Sequence, residues 1–170
     1  MDPIAHSSIG LMAKPIVPKA PLVVLLAATQ VPDLLFFAFE AAGLEYQAVT
    51  EMDFNQGLQY LSPALMHWSH GLLMCIIWSL AGAAIAFPFF RSLRTSAVIG
   101  LLVFSHWVLD FTVYPNMPLL FDGFPQVGLS LMTSRTGIIV AIILEVLLIT
   151  VGLAIYLIFR KRKSAEPQLA

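Results

Sequence analysis

Acidic and imidazole side chains interrupt the apolar runs of this 170-residue chain at Asp33, Glu40, His70, His106, Asp110 and Glu145. No Lys or Arg falls inside those runs to neutralise the carboxylates. Imidazole and carboxylate groups held together can bind a divalent metal, move protons, or hydrogen-bond one element to another. The spacing favours the first. His106 and Asp110 are four residues apart, so on a helix they project from one side, and Asp33 shares a stripe with Gln30 and Glu40. His67 and His70 are three apart and share a face in the same way. Bare carboxylates buried side by side would be driven to their neutral forms, whereas a divalent cation supplies the missing positive charge. With one cysteine, Cys75, in the whole chain, neither a disulfide nor a thiolate cluster can form, so the donor set suits Zn, with Mn or Fe as alternatives.

The elements that must carry these groups read as membrane helices. Hydrophobic residues make up 59% of the chain and charged residues 11%, more apolar surface than a soluble domain of this size can hide. Four stretches approach or exceed the roughly 20 residues needed to cross the hydrocarbon. They lie at about 21–43, 66–90, 95–114 and 137–159, the second preceded by a helix-start signal at Ser62-Pro63 and the third stopped by Pro115. The expectation is an all-α membrane protein, a four-transmembrane-helix bundle forming a single domain over 1–170. The segment Pro3–Ala13 is too short to span and reads as a half-helix or an interfacial one.

Lys14 and Lys19 precede the first stretch, Arg91 and Arg94 separate the second and third, and Arg160, Lys161, Arg162 and Lys163 open a basic tail over 160–170. The 44–67 connection has no Lys or Arg and the 115–136 connection has only Arg135. The positive-inside rule therefore places both termini and the 2–3 connection on the cytoplasmic face of a cell (inner) membrane. Lys14 and Lys19 followed by an apolar run resemble a secretory leader, but Gln30, Pro32 and Asp33 break that run, so a retained first helix is expected. The basic cluster beside an apolar stretch reads as a topology anchor rather than a nucleic-acid surface.

With about 1.5 Å of rise per residue, measured from the cytoplasmic boundary, Asp33 and Glu145 stand at roughly 18 Å, His106 at about 16 Å, Asp110 at about 22 Å and His70 at about 25 Å. All share one layer in the outer half of the bilayer. Shared height across separate helices argues for a common site. Glu145 sits at that height without a histidine one turn away, and is the candidate general base.

The strings Pro32-Asp33, Ser69-His70-Gly71-Leu72-Leu73 and Ser105-His106-Trp107-Val108-Leu109-Asp110 together resemble the bacterial membrane-bound metal-dependent hydrolase family, from about residue 3 to residue 150. That family has an early His, a PD motif, a T/S-H-S-L motif and an H-x-x-x-D motif, and His6 in Ala5-His6-Ser7-Ser8 resembles the early His. A looser likeness extends to soluble zinc-dependent phospholipases C and zinc nucleases. The resemblance implies His6, Asp33, His70, His106 and Asp110 as metal ligands, and hydrolysis of a phosphoester or lipid substrate. The chain departs from the pattern at His67, three residues rather than five before His70, at Gly71 in place of the last Ser, and at Leu35 where a second Asp often stands. Those departures point to one ion rather than two.

Two other classes fit intramembrane acids. A carrier would use them as an ion relay, although four spans show no inverted repeat. A haem protein would need two facing histidines free of crowding carboxylates. The outer connection Tyr114–Ser134, rich in Pro and Gly, could cover the site as a lid. Oligomeric state is not encoded in any of these features.

Overall fold

The computed structural model describes residues 1–45, 48–49, 61–62, 66–121 and 125–165. Seven helices dominate these: α1 Pro3–Ala13, α2 Leu22–Thr29, α3 Val31–Ala41, α4 His67–His70, α5 Leu72–Phe90, α6 Leu93–Val113 and α7 Arg135–Ala165. Two antiparallel pairs of two-residue strands accompany them, β1 Ala48–Val49 with β2 Leu61–Ser62 and β3 Met117–Pro118 with β4 Gln126–Val127. The all-α expectation holds. Three helices, α5, α6 and α7, are each long and apolar enough to cross a membrane, and α2 with α3 forms a pair that passes only when taken together.

That pair departs from the expected unbroken helix over 21–43. Its two halves meet at Gln30 with a bend of 56°. Pro32, at the second position of α3, has no N–H to give to a carbonyl one turn back, so the ladder cannot run through. Gln30 closes the break from outside, its Nε2 donating to the Pro3 carbonyl at 2.9 Å and to Ser7 Oγ at 3.0 Å. The bend is thereby tied to α1. The sequence places Ser62-Pro63 at the start of the second stretch, and Pro63 lies outside the described residues. Helix begins at α4 and breaks at Gly71, where a Cβ would collide with the His67 carbonyl oxygen. The backbone there is ordinary extended chain, and it is the lack of a side chain that lets it pass so close to that carbonyl.

α1 is helical over the expected Pro3–Ala13 segment, begun by Asp2, whose Oδ1 accepts the Ile4 N–H at 2.8 Å, and by Pro3 at the first helical position. It packs between α7 and α2. Close approach to α7 is made at Gly152, where a Cβ would lie 2.7 Å from the Ser8 carbonyl oxygen. α6 is the most enclosed of the long helices, and Ser92 Oγ caps it by accepting the Thr95 N–H at 3.3 Å. Ala13, Leu25, Ala86, Ile99 and Val103 form one core cluster, and Cys75, Trp107 and Met117 form a second. Cys75 is a buried small hydrophobe, as its place in an apolar run suggests. Large apolar side chains such as Leu80, Phe89, Leu101 and Ile139 face outward. That outward apolar surface is what a hydrocarbon solvent requires and water penalises.

Small residues set the α5–α6 spacing. A Cβ at Gly100 would lie 2.7 Å from the Ser79 carbonyl oxygen, whereas one at Gly82 meets only the Val103 Cγ2 at 3.3 Å. Gly100→Leu should therefore destabilise the bundle by about 1–3 kcal/mol in a denaturant titration of detergent-solubilised protein, with Gly82→Ala close to wild type. Equal effects would contradict the packing described.

Candidate metal centre

Four side chains from three parts of the fold meet above the α2–α3 bend. Asp33 lies in the first turn of α3, His70 ends α4, and His106 and Asp110 occupy consecutive turns of α6. His70 Nε2 stands 3.3 Å from Asp33 Oδ1 and 3.7 Å from Asp110 Oδ2. His106 Nε2 stands 3.4 Å from Asp33 Oδ1 and 3.3 Å from Asp110 Oδ2. Ligand atoms bound at about 2.0–2.1 Å around one tetrahedral ion are about 3.3 Å apart. These four separations are close to that edge length, as they would be for donors around a divalent ion.

Hydrogen bonds behind the imidazoles point the same way. His106 Nδ1 lies 2.8 Å from the Thr29 carbonyl oxygen, which can only accept. The proton must therefore be on Nδ1, and in the neutral ring Nε2 is a lone pair. Nε2 is buried, has no hydrogen-bond partner among the described residues, and faces two carboxylate oxygens. Lone pairs aimed at carboxylates repel, and either a proton or a metal ion between them removes the conflict. The α2–α3 break explains why Thr29 is available, because the last carbonyls of a helix have no following turn to bond. Pro32 thus does more than precede Asp33. His70 is backed by Ser69, with Oγ 2.7 Å from Nδ1.

His6 joins the cluster from the other side. Its Nε2 is 3.3 Å from Asp110 Oδ1, the oxygen turned away from His70 and His106. The His6 ring stacks on His106 with centroids 3.8 Å apart and planes inclined by 7°, and its Nδ1 has no partner among the described residues. Two three-residue groups could each hold a metal, Asp33–His70–His106 and His6–His106–Asp110, and they share His106. Asp110 presents Oδ1 to His6 and Oδ2 to His70 and His106. The Met1 ammonium donates to the same Asp110 Oδ1 at 2.6 Å, which places the first residue at the cluster rather than beside the basic turn at Lys14 and Lys19. Stacked rings at this spacing leave no gap for a haem macrocycle between His6 and His106.

Glu145 Oε1 accepts the Asp2 N–H at 3.0 Å, so it reaches the cluster's rim through the start of α1. Glu40, expected on the Asp33 stripe, is exposed near the end of α3 and stands apart from the others. Asp33 is the accessible member, with its side chain 32% exposed against 5% for Asp110. Of the outer connection, residues 122–124 lie outside the described part. Its remainder packs by backbone contacts, with Leu73 N donating to Leu119 O at 3.1 Å and Leu129 N to Phe111 O at 2.8 Å.

Sequence reasoning passed over Glu45. It is 2% exposed, and its Oε1 accepts the Trp68 N–H at 2.6 Å and the Ser69 N–H at 2.9 Å. A carboxylate on the first N–H groups of α4 fixes the turn that carries His70. No local spacing links residue 45 to residue 70, so only the fold reveals the pairing.

Comparison of the chain with family models, curated proteins and solved structures finds no match.

Glu45→Gln keeps an acceptor oxygen for both N–H groups, whereas Glu45→Ala leaves them bare. A zinc titration should show Glu45→Ala weakened about 10–100-fold and Glu45→Gln close to wild type, as for a group that orients a ligand. Equal affinities for wild type and Glu45→Ala would separate Glu45 from the site.

Proposed function

We propose that this chain is an integral-membrane metal-dependent hydrolase acting on a lipid-like phosphoester. Its single divalent ion, zinc by donor chemistry with manganese or iron as alternatives, would be held by Asp33, His70, His106 and Asp110 with His6 adjacent. The reading takes α2–α3 as one bent crossing and α5, α6 and α7 as three more, with the basic ends on the cytoplasmic side of the inner membrane. The observation that carries it is His106, whose Nδ1 is committed to the Thr29 carbonyl while Nε2 is aimed between two carboxylates.

Such an ion supplies Lewis acidity and brings the pKa of a bound water toward about 7. The chain's own groups divide the remaining work. Asp33, the most accessible of the four, marks the side from which substrate enters. Glu145 is the proton acceptor of this reading, anchored by the Asp2 amide at the cluster's rim. An apolar groove of about 640 Å³ supports a lipid substrate. It is lined by Val31, Leu34 and Leu35, which flank Asp33 on α3, by Val103, one turn before His106, and by Trp78 and Phe89 on α5. An acyl chain in that groove would stay in hydrocarbon-like surroundings while its polar end reached Asp33.

Detergent-purified wild type should carry close to one zinc per chain, and Asp33→Ala, His106→Ala and Asp110→Ala should each carry far less. Hydrolysis of bis(p-nitrophenyl) phosphate should vanish with chelator and return with added zinc. Glu145→Gln keeps an oxygen for the Asp2 N–H, so it should retain metal and fold while losing about 10²–10⁴-fold in turnover. Ion-driven uptake into liposomes by a metal-free, catalytically silent protein would replace this reading with a carrier.

A further inference from the structure

Far from the metal cluster, the turn between α1 and α2 meets the C-terminal end of α7. A cavity of about 680 Å³ opens there, lined by Pro18, Lys19, Phe159, Arg162 and Lys163. Every charged residue in that lining is a cation. The acids among the described residues, Asp2, Asp33, Glu40, Glu45, Asp110 and Glu145, lie in or beside the His–Asp cluster, at the α1 and α4 caps or at the far end of α3, and none lines the cavity.

The turn that brings Lys19 to α7 is held by Lys14, whose Nζ donates to the Pro18 carbonyl at 2.9 Å and to the Ala20 carbonyl at 2.5 Å. Burial first and the nearby Lys163 charge second push the Lys14 ammonium below its usual range. Positive charges are thus gathered at one place, and among the described residues no acid lines the cavity beside them. The lining is also amphiphilic. Ile155, Phe159, Arg162 and Lys163 follow one another at i, i+4, i+7 and i+8 on α7, so apolar side chains continue from the cations along one helix face. Ile155 is partly exposed on that face. A free inorganic anion has no use for such a stripe, whereas a phospholipid presents a phosphate above an acyl chain.

We propose that Lys19, Arg162 and Lys163 form a binding site for the headgroup of an anionic phospholipid, with its acyl chain lying along Phe159 and Ile155. Arg162 supplies planar two-point contact with the phosphate, and the two lysines supply charge. The site is independent of the metal centre. In the topology proposed above it lies at the cytoplasmic surface, where anionic lipids concentrate.

The test uses the full-length protein in neutral detergent and measures retained lipid by native mass spectrometry during titration with phosphatidylglycerol or phosphatidylcholine. Wild type should hold phosphatidylglycerol at least tenfold more tightly than phosphatidylcholine. The double variant Arg162→Gln/Lys163→Gln should lose that preference. Arg160→Gln/Lys161→Gln removes the same charge from the same helix end but outside the cavity lining, and should keep it. All four positions are exposed on the helix end, and unchanged far-ultraviolet circular dichroism and thermal midpoint in both variants check that the fold is intact. Equal losses in the two variants would mean diffuse attraction of a basic tail, and would overturn the proposal. Displacement of phosphatidylglycerol by millimolar inorganic phosphate would overturn it too, by showing that the acyl chain adds nothing.

Discussion

Two carboxylates facing one pair of imidazoles in apolar surroundings form the constraint on which the rest of this structure depends. Asp33 and Asp110 approach the Nε2 atoms of His70 and His106 to within 3.3–3.7 Å. Charges of one sign cannot be held so close in a low-dielectric interior unless positive charge stands among them. The Met1 ammonium on Asp110 Oδ1 supplies part of it and protonated imidazoles could supply more, while the Thr29 carbonyl and Ser69 hydroxyl behind the two rings are partners of the kind that metal-bound histidines use. The arrangement is one that could hold a metal ion.

Broken helices build it. The Pro32 interruption leaves the Thr29 carbonyl free for His106 and sets Asp33 in the first turn of α3. The Gly71 interruption lets α4 end at His70 before α5 departs, with Glu45 holding the front of that short helix. α6 runs unbroken between them and presents His106 and Asp110 from successive turns. Irregular backbone at membrane depth survives only where protein satisfies its polar groups, and here Gln30, Glu45 and His106 do so. The devices that deform the bundle are the ones that bring Asp33, His70, His106 and Asp110 together.

Much of this was legible in the residues. Apolar runs and their basic flanks foretold the long helices, and the shared height of Asp33, His70, His106 and Asp110 foretold their meeting. The i, i+4 spacing of His106 and Asp110 placed both on one face because a regular helix obeys its period. What stayed hidden depends on contacts between distant segments. The bend at Gln30 follows from Pro32 acting against a span otherwise apolar enough to look continuous. Glu45 carries no local signature, since its partners are backbone N–H groups more than twenty residues away. Likewise His6 belongs on the opposite oxygen of Asp110, a distinction of a few ångströms that no spacing rule contains.

The central claim, that side chains from α3, α4 and α6 enclose one cation within the bundle, is tested most directly by X-ray absorption at the metal edge of the purified protein. The account predicts two or three imidazole nitrogens and carboxylate oxygens at about 2.0–2.1 Å with no sulfur, and loss of one imidazole shell in His106→Ala. An oxygen-only shell indistinguishable from the hydrated ion, unchanged by His106→Ala, would contradict it.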